Sequence, residues 1–148
     1  MTDSADQQTQ DAWKGILFAH SQVVRRLEAD LAEYSDLPLT WLDVMNRLNE
    51  HPQRRLRVHE LAEKSLFTRS GLTRLVDRIE DAGYVRRTHS SEDRRGVYVE
   101  LTDLGVAKLD DLWPDFTRSI QQHFGQHLTP TDTSAIIAAT RKIVDAQE

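Results

Sequence analysis

Apolar residues recur along this chain at two different periods, and the switches between them mark out its elements. From about Thr9 to Tyr34 they fall at three- and four-residue steps, so that Trp13, Ile16, Leu17, Val23, Val24, Leu27 and Leu31 share one helical face with His20. Leu37-Pro38 interrupts the pattern, because proline lacks an amide donor and biases the residue before it toward extended backbone. A second helix turns Leu42, Val44, Met45 and Leu48 inward, with Thr40 as its expected N-cap, and fades at His51-Pro52-Gln53. Arg55-Leu56-Arg57 is too short for an independent strand but able to pair with one elsewhere. A short helix over Val58–Ser65 faces Leu61 and Ala62 inward. A longer one follows the Leu66-Phe67 turn, from Thr68 to about Ala82, with Leu72, Leu75, Val76 and Ile79 as its apolar stripe. Thr68 suits its N-cap and Gly83 the left-handed position just past its end.

The period then drops to two. Tyr84–His89 and Val97–Leu101 read as the strands of a hairpin whose turn lies at about Ser90–Gly96. In the return strand Val97, Val99 and Leu101 share one face, and Tyr98 and Glu100 the other. From Asp103 the helical period resumes through Leu104, Leu109, Leu112, Trp113, Phe116, Ile120 and Phe124. Pro114 falls inside this run and predicts a kink or a break between two helices. Thr129-Pro130 opens a last helix as N-cap and first helical residue, with Ile136, Ile137, Ile143 and Val144 as its apolar face.

The fold class that follows is mainly α with a small β-hairpin wing. A winged helix-turn-helix occupies 37–103, flanked by a dimerising N-terminal helix over 1–36 and dimerising C-terminal helices over 104–148. Dimerisation enters because the flanking stripes are broader than one small domain needs, and a homodimer of interleaved helices would bury them.

Composition refines this picture. At 148 residues the chain fits one domain by length. It has no cysteine, which excludes disulfides, thiolate metal clusters and thiol redox sensing. The stretch Met1–Asp11 is polar and acidic without the apolar core of a secretory signal, and no apolar run reaches membrane-spanning length. A cytoplasmic protein with no membrane partner is expected. The net charge of −5 hides an asymmetry: Arg54–Arg95 holds eleven Lys/Arg against seven Asp/Glu, a local +4, and the remainder stands at −9. A basic middle between acidic arms is what a DNA-binding module attached to another function requires.

The chemistry concentrates there. A helix fits the major groove, and the N-terminal half of the second helix of the pair offers Thr68, Arg69, Ser70, Thr73 and Arg74. The arginines suit guanine edges or phosphates, and the hydroxyls are short donors. In the hairpin, Arg86, Arg87, Arg94 and Arg95 crowd together, with Asp93 placed to brace one of them. Such cations repel one another until an anion relieves them, and a planar guanidinium suits a narrow minor groove. Double-stranded DNA is the expected partner, and an acidic protein bound by the same basic face is the alternative.

Asp93, Arg95, Leu101, Thr102 and Gly105 match D-x-R-x-x-x-x-x-L-T-x-x-G, and in this the chain resembles the MarR family of regulators. Leu61-Ala62, Ser70–Arg78 and Gly83–Arg87 match as well. The resemblance spans Leu37–Gly105; the flanking helices match only in pattern. It implies a homodimer whose recognition helices enter major grooves of a pseudo-palindrome, with Arg95 as the wing tip in the minor groove. It also implies repression relieved by a small aromatic or anionic effector. Trp13, Phe18, His20, Trp41, Asp43 and Phe67 are the candidate lining of an effector pocket, being aromatic or polar near the junction of wing and arms.

No metal or other cofactor is expected. His123 and His127 are four residues apart and would share a helix face, but no nearby carboxylate pair or cysteine completes a site. Catalysis is not expected either. There is no nucleophile–base–orienter set and no phosphate-cradling glycine loop, and His89 beside Ser90 and Ser91 sits in an exposed hairpin.

Overall fold

The computed structural model describes residues 4–64, 69–90 and 96–148, with the backbone alone at Arg69. Along these residues the elements are α1 (Ser4–Tyr34), α2 (Leu39–Glu50), β1 (Arg55–Arg57), α3 (Val58–Glu63), α4 (Arg69–Asp81), β2 (Val85–His89), β3 (Val97–Leu101), α5 (Asp103–His123) and α6 (Pro130–Asp145). A 3-10 turn, Gly125–His127, separates the last two helices. The chain divides into two compact units, Tyr34–Pro114 and Met1–Glu33 with Asp115–Glu148.

In the unit Tyr34–Pro114, helices α2, α3 and α4 cover one face of a three-stranded antiparallel sheet of order β1-β3-β2. The short Arg55-Leu56-Arg57 run finds its partner in β3, with Leu56 opposite Val99. That pairing makes β3 the central strand and extends the hairpin to three strands. Leu42, Val44, Met45, Leu48, Leu61, Leu72, Val76, Ile79, Val85 and Val99 are all at most 1% exposed. Burying each such aliphatic side chain contributes about 1.5–3 kcal/mol, so this cluster is the largest favourable term holding the unit together.

Helix ends follow local chemistry. Pro38, at φ −63° and ψ 148°, is the N-cap of α2, and its carbonyl accepts from the amides of Trp41 and Leu42 at 3.0 and 3.3 Å. Thr40 therefore lies inside the first turn and not at the cap, because the ring of Pro38 already fixes the extended geometry that a cap needs. Helix α4 ends as its sequence predicts. Gly83 adopts φ +87°, its amide bonds the carbonyl of Glu80 at 2.8 Å, and the Tyr84 amide bonds that of Ile79 at 3.2 Å.

Helix α1 begins at Ser4, five residues before the expected start, and its polar first turns are supported by a Gln7–Asp11 side-chain bond of 3.0 Å. Helix α5 passes through Pro114 unbroken. A proline inside a helix costs about 3 kcal/mol. Burial of Leu109 and Leu112 before it helps offset that cost. At α6 the expected cap is present as a full capping box: the Thr129 hydroxyl accepts from the Asp132 amide at 3.2 Å, and the Asp132 carboxylate accepts from the Thr129 amide at 2.9 Å.

Candidate nucleic-acid interface

Helix α4 has two unlike sides. Leu72, Leu75, Val76 and Ile79 are buried, whereas Ser70, Thr73, Arg74, Asp77 and Arg78 are exposed. This division follows from the helical period alone, and it presents two hydroxyls and a guanidinium together near the start of the helix. Thr68 and the side chain of Arg69 lie outside the described residues, as do Asp93, Arg94 and Arg95 of the wing turn. The base of that turn is closed by the Ser90 amide, which donates to the Gly96 carbonyl at 3.4 Å.

Arg86 and Arg87 are neighbours in a strand and so face opposite ways. Arg86 pairs with Glu100 across the sheet and Arg87 with Val99. The Arg86 side chain is 62% exposed on the outer face and reaches the Glu100 carboxylate at 2.8 Å. Arg87 stands on the inner face, in the row of buried Leu56 and Val99. Its Nη1 donates to Glu80 Oε1 at 2.7 Å and its Nη2 to Asp77 Oδ1 at 2.6 Å. Its backbone amide donates to Glu80 Oε2 at 2.6 Å.

The outer face carries two further arginines to which sequence reasoning gave no role. Arg55 and Arg57 place their guanidinium carbons 4.6 and 5.2 Å from the Tyr98 ring centroid. Arg57 also donates to the Tyr98 hydroxyl at 3.3 Å. A cation over an aromatic face is held by the ring quadrupole. The sequence offered Arg55-Leu56-Arg57 only as a run able to pair with a strand elsewhere; the register that sets Arg57 opposite Tyr98 comes from the structure.

The Leu101-Thr102-x-x-Gly105 motif joins the wing to α5. The Thr102 hydroxyl donates to the Gly83 carbonyl at 2.6 Å and accepts from the Gly105 amide at 3.1 Å. The Thr102 amide donates to the Tyr84 carbonyl at 3.0 Å. One side chain thus ties the end of α4 to the start of α5. Gly105 lies so close to this junction that a β-carbon there would collide with the Tyr84 carbonyl oxygen and lie 2.7 Å from a Leu101 methyl.

The candidate effector residues are dispersed. Trp13 and Phe18 stand exposed on α1. Trp41 and Asp43 are half-buried on α2, where Asp43 accepts from Arg47 at 2.9 Å. Phe67 lies outside the described residues. His20 lines an apolar cavity of about 640 Å³ together with Ile16, Val23, Leu27, Ile120 and Phe124. The paired histidines do not share a helix face, since α5 ends at His123 and His127 follows in the 3-10 turn. His123 Nε2 instead meets Asp30 Oδ2 at 2.8 Å. Hydrogen bonds from His123 and then from Ser119 hold the Asp30 carboxyl below its usual range, and the Arg26 charge adds to this. Among the described residues no cluster of three or more His, Cys, Asp or Glu is placed to hold a metal ion. No helix among them is long and apolar enough to cross a membrane.

The sequence model of the MarR family matches residues 35–96. The HTH-type transcriptional regulator YfiV of Bacillus subtilis is 41% identical over 76 residues, covering 50% of this chain and 46% of that protein. The HTH-type transcriptional repressor MdtR of Bacillus subtilis is 30% identical over 107 residues, covering 72% of this chain and 67% of that one. The chain belongs to the MarR family. The crystal structure of Sco3205, a MarR-family transcriptional regulator from Streptomyces coelicolor in complex with DNA, has a TM-score of 0.84 at 28% identity. It covers 100% of this chain and 94% of that one. The chain spans about half the length of the first curated relatives it matches. These MarR-family relatives are transcriptional regulators and not enzymes.

Proposed function

We propose that this MarR-family chain is a repressor that binds pseudo-palindromic double-stranded DNA as a homodimer. The observation that carries the reading is the exposed Ser70–Thr73–Arg74 face of α4 set beside an arginine-rich hairpin. A helix with short donors and a guanidinium near its start is suited to the major groove, and the hairpin that follows to the adjacent minor groove. Arg95 is the proposed wing tip and Asp93 its brace, with Thr68, Arg69, Arg86 and Arg94 as backbone or base contacts. The repressor named MdtR and the DNA complex of Sco3205 support this direction.

The homodimer rests on the apolar faces of α1 and α6. Trp13, Ile16, Leu17, Ile136, Ile137, Ile143 and Val144 are between 39% and 60% exposed in the single chain. A second copy would cover them and set two recognition helices about one helical turn of DNA apart. Effector release extends the reading. A panel of aromatic acids and cationic dyes is expected to include a compound that shifts thermal stability and weakens DNA binding; a panel without one removes the effector.

Selection of duplexes from a random library, followed by salt titration of the recovered sequence, tests the whole. A palindromic consensus whose affinity falls steeply with salt is expected. Recovery of no preferred duplex, with capture of an acidic protein by the same face, would replace DNA with a protein partner. Arg95→Ala is expected to lose about 1–3 kcal/mol of binding to the recovered duplex, and unchanged binding at moderate salt would remove Arg95 from the wing tip.

A further inference from the structure

Two adjacent arginines in β2 look equivalent as charges, yet their surroundings are unlike. Arg86 is exposed and meets a single carboxylate. Arg87 is 26% exposed and lies between two, Asp77 and Glu80, both on α4. The guanidinium reaches a third group of the same helix, since Nη2 also donates to the Thr73 carbonyl at 3.4 Å. Thr73, Asp77 and Glu80 follow one another at helical steps of four and three, so they form a single stripe along the flank of α4. Glu80 is used twice, one oxygen holding the guanidinium and the other the Arg87 amide. That second bond also occupies a donor on the outer edge of β2, which the sheet leaves without a strand partner.

We propose that Arg87 is a positioning residue that clamps α4 to the wing strand β2 and so fixes the angle at which Ser70, Thr73 and Arg74 are offered to DNA. The inference rests on the DNA-binding reading above and assigns Arg87 a role inside the protein, not on the phosphates. The electrostatics point the same way. Swinging Arg87 out to a phosphate would strip Asp77 and Glu80 of their shared cation and leave two carboxylates facing a polyanion. An arginine fork can hold two acids in fixed geometry, whereas a lysine ammonium offers only a point charge.

The test compares wild type with Arg87→Lys, Arg87→Ala and Glu80→Gln. The probes are the duplex selected by wild-type protein and a scrambled duplex of equal length. A clamp predicts that Arg87→Lys, which keeps the charge, weakens binding to the selected duplex on the order of tenfold, the scale of a lost charge-assisted hydrogen bond. Its salt slope should match wild type. Glu80→Gln should weaken the same binding although it removes a negative charge near DNA. The double variant Arg87→Ala/Glu80→Gln should be little worse than either single one, as for two parts of one contact. If Arg87 instead touches phosphate, Arg87→Lys binds as wild type, Arg87→Ala lowers the slope by about 2 for both duplexes, one for each protomer, and Glu80→Gln is neutral or tighter. That pattern would overturn the clamp.

A readout without DNA separates this proposal from the reading it rests on. Amide hydrogen exchange along Thr73–Asp81 should quicken in Arg87→Ala and Glu80→Gln while the buried amides of β3 keep their protection. Unchanged exchange in α4 would overturn the clamp even if wild type binds DNA. Quickened exchange with no DNA binding by wild type would keep the clamp and remove the DNA.

Discussion

At Gly105 a single hydrogen atom stands where any other amino acid would carry carbon. A methyl there would meet the Tyr84 carbonyl and the Leu101 side chain, both held by the wing. Gly105→Ala is expected to destabilise the protein by about 1–3 kcal/mol, the cost of overpacking a fixed site. Thr102→Val, which deletes the α5 cap while keeping shape, should cost about 1 kcal/mol. Urea midpoints measure both, and a Gly105→Ala protein as stable as wild type would contradict the close approach. Asp30 gives a pH-dependent counterpart. Its carboxyl is held low by His123 and Ser119. The folded pKa therefore lies below the unfolded one, and the stability it confers is present above the unfolded value near 4. That stability is lost as pH falls through the folded pKa. Asp30→Asn should flatten this acid limb, and an identical limb in both proteins would refute the assignment. Of these details the sequence showed the glycine as a motif letter, not its reason. The alternation that buries Val85 could have turned Arg87 the same way, but the hairpin arginines were read as one cationic cluster. The Asp30–His123 pair was not legible, since no periodicity connects residues 93 positions apart.

Between residue and unit stands the element, and here α4 joins two jobs on one cylinder. Its buried stripe fixes it on the sheet, and its exposed stripe is the proposed reader. If Arg74 reads a base, Arg74→Ala should lower affinity for the selected duplex and relax preference at one position; a uniform loss across all duplexes would make it a phosphate contact. Arg69→Ala is expected to separate in the same way. Elements were the most legible level of this chain. The helix-turn-helix, the hairpin, the Gly83 end and the Thr129-Pro130 start follow from period and capping chemistry. The departures have local causes. Pro38 pre-empted Thr40 at the start of α2, and β1 became a strand only by pairing with a segment some forty residues downstream. Helix α5 continued through Pro114, where the buried Leu109 and Leu112 of the preceding turns help offset the cost of the proline.

For the whole molecule the question is what the acidic, apolar flanks do for a basic middle. The flanks, 1–36 and 104–148, carry seven basic and thirteen acidic residues, so they gain nothing from a polyanion. Their exposed isoleucines and aromatics gain from burial, at about 25 cal/mol for each Å² removed from water. The proposed second copy would satisfy both conditions, since it would hide the apolar faces and leave the winged unit for DNA. The breadth of the apolar stripes was legible in the sequence and is what raised a homodimer there, but which residues would meet across it was not, because periodicity describes one chain and an interface belongs to two. Ile137→Asp tests the idea on α6, where that side chain is 52% exposed and its loss costs the single chain little packing. The variant is expected to sediment as a folded monomer at micromolar concentration. It should bind the selected duplex with roughly half the salt slope of wild type, since one winged unit neutralises half as many phosphates as two. Wild type that sediments as a monomer, or a variant that remains dimeric with its full salt slope, would move the partner of these helices elsewhere.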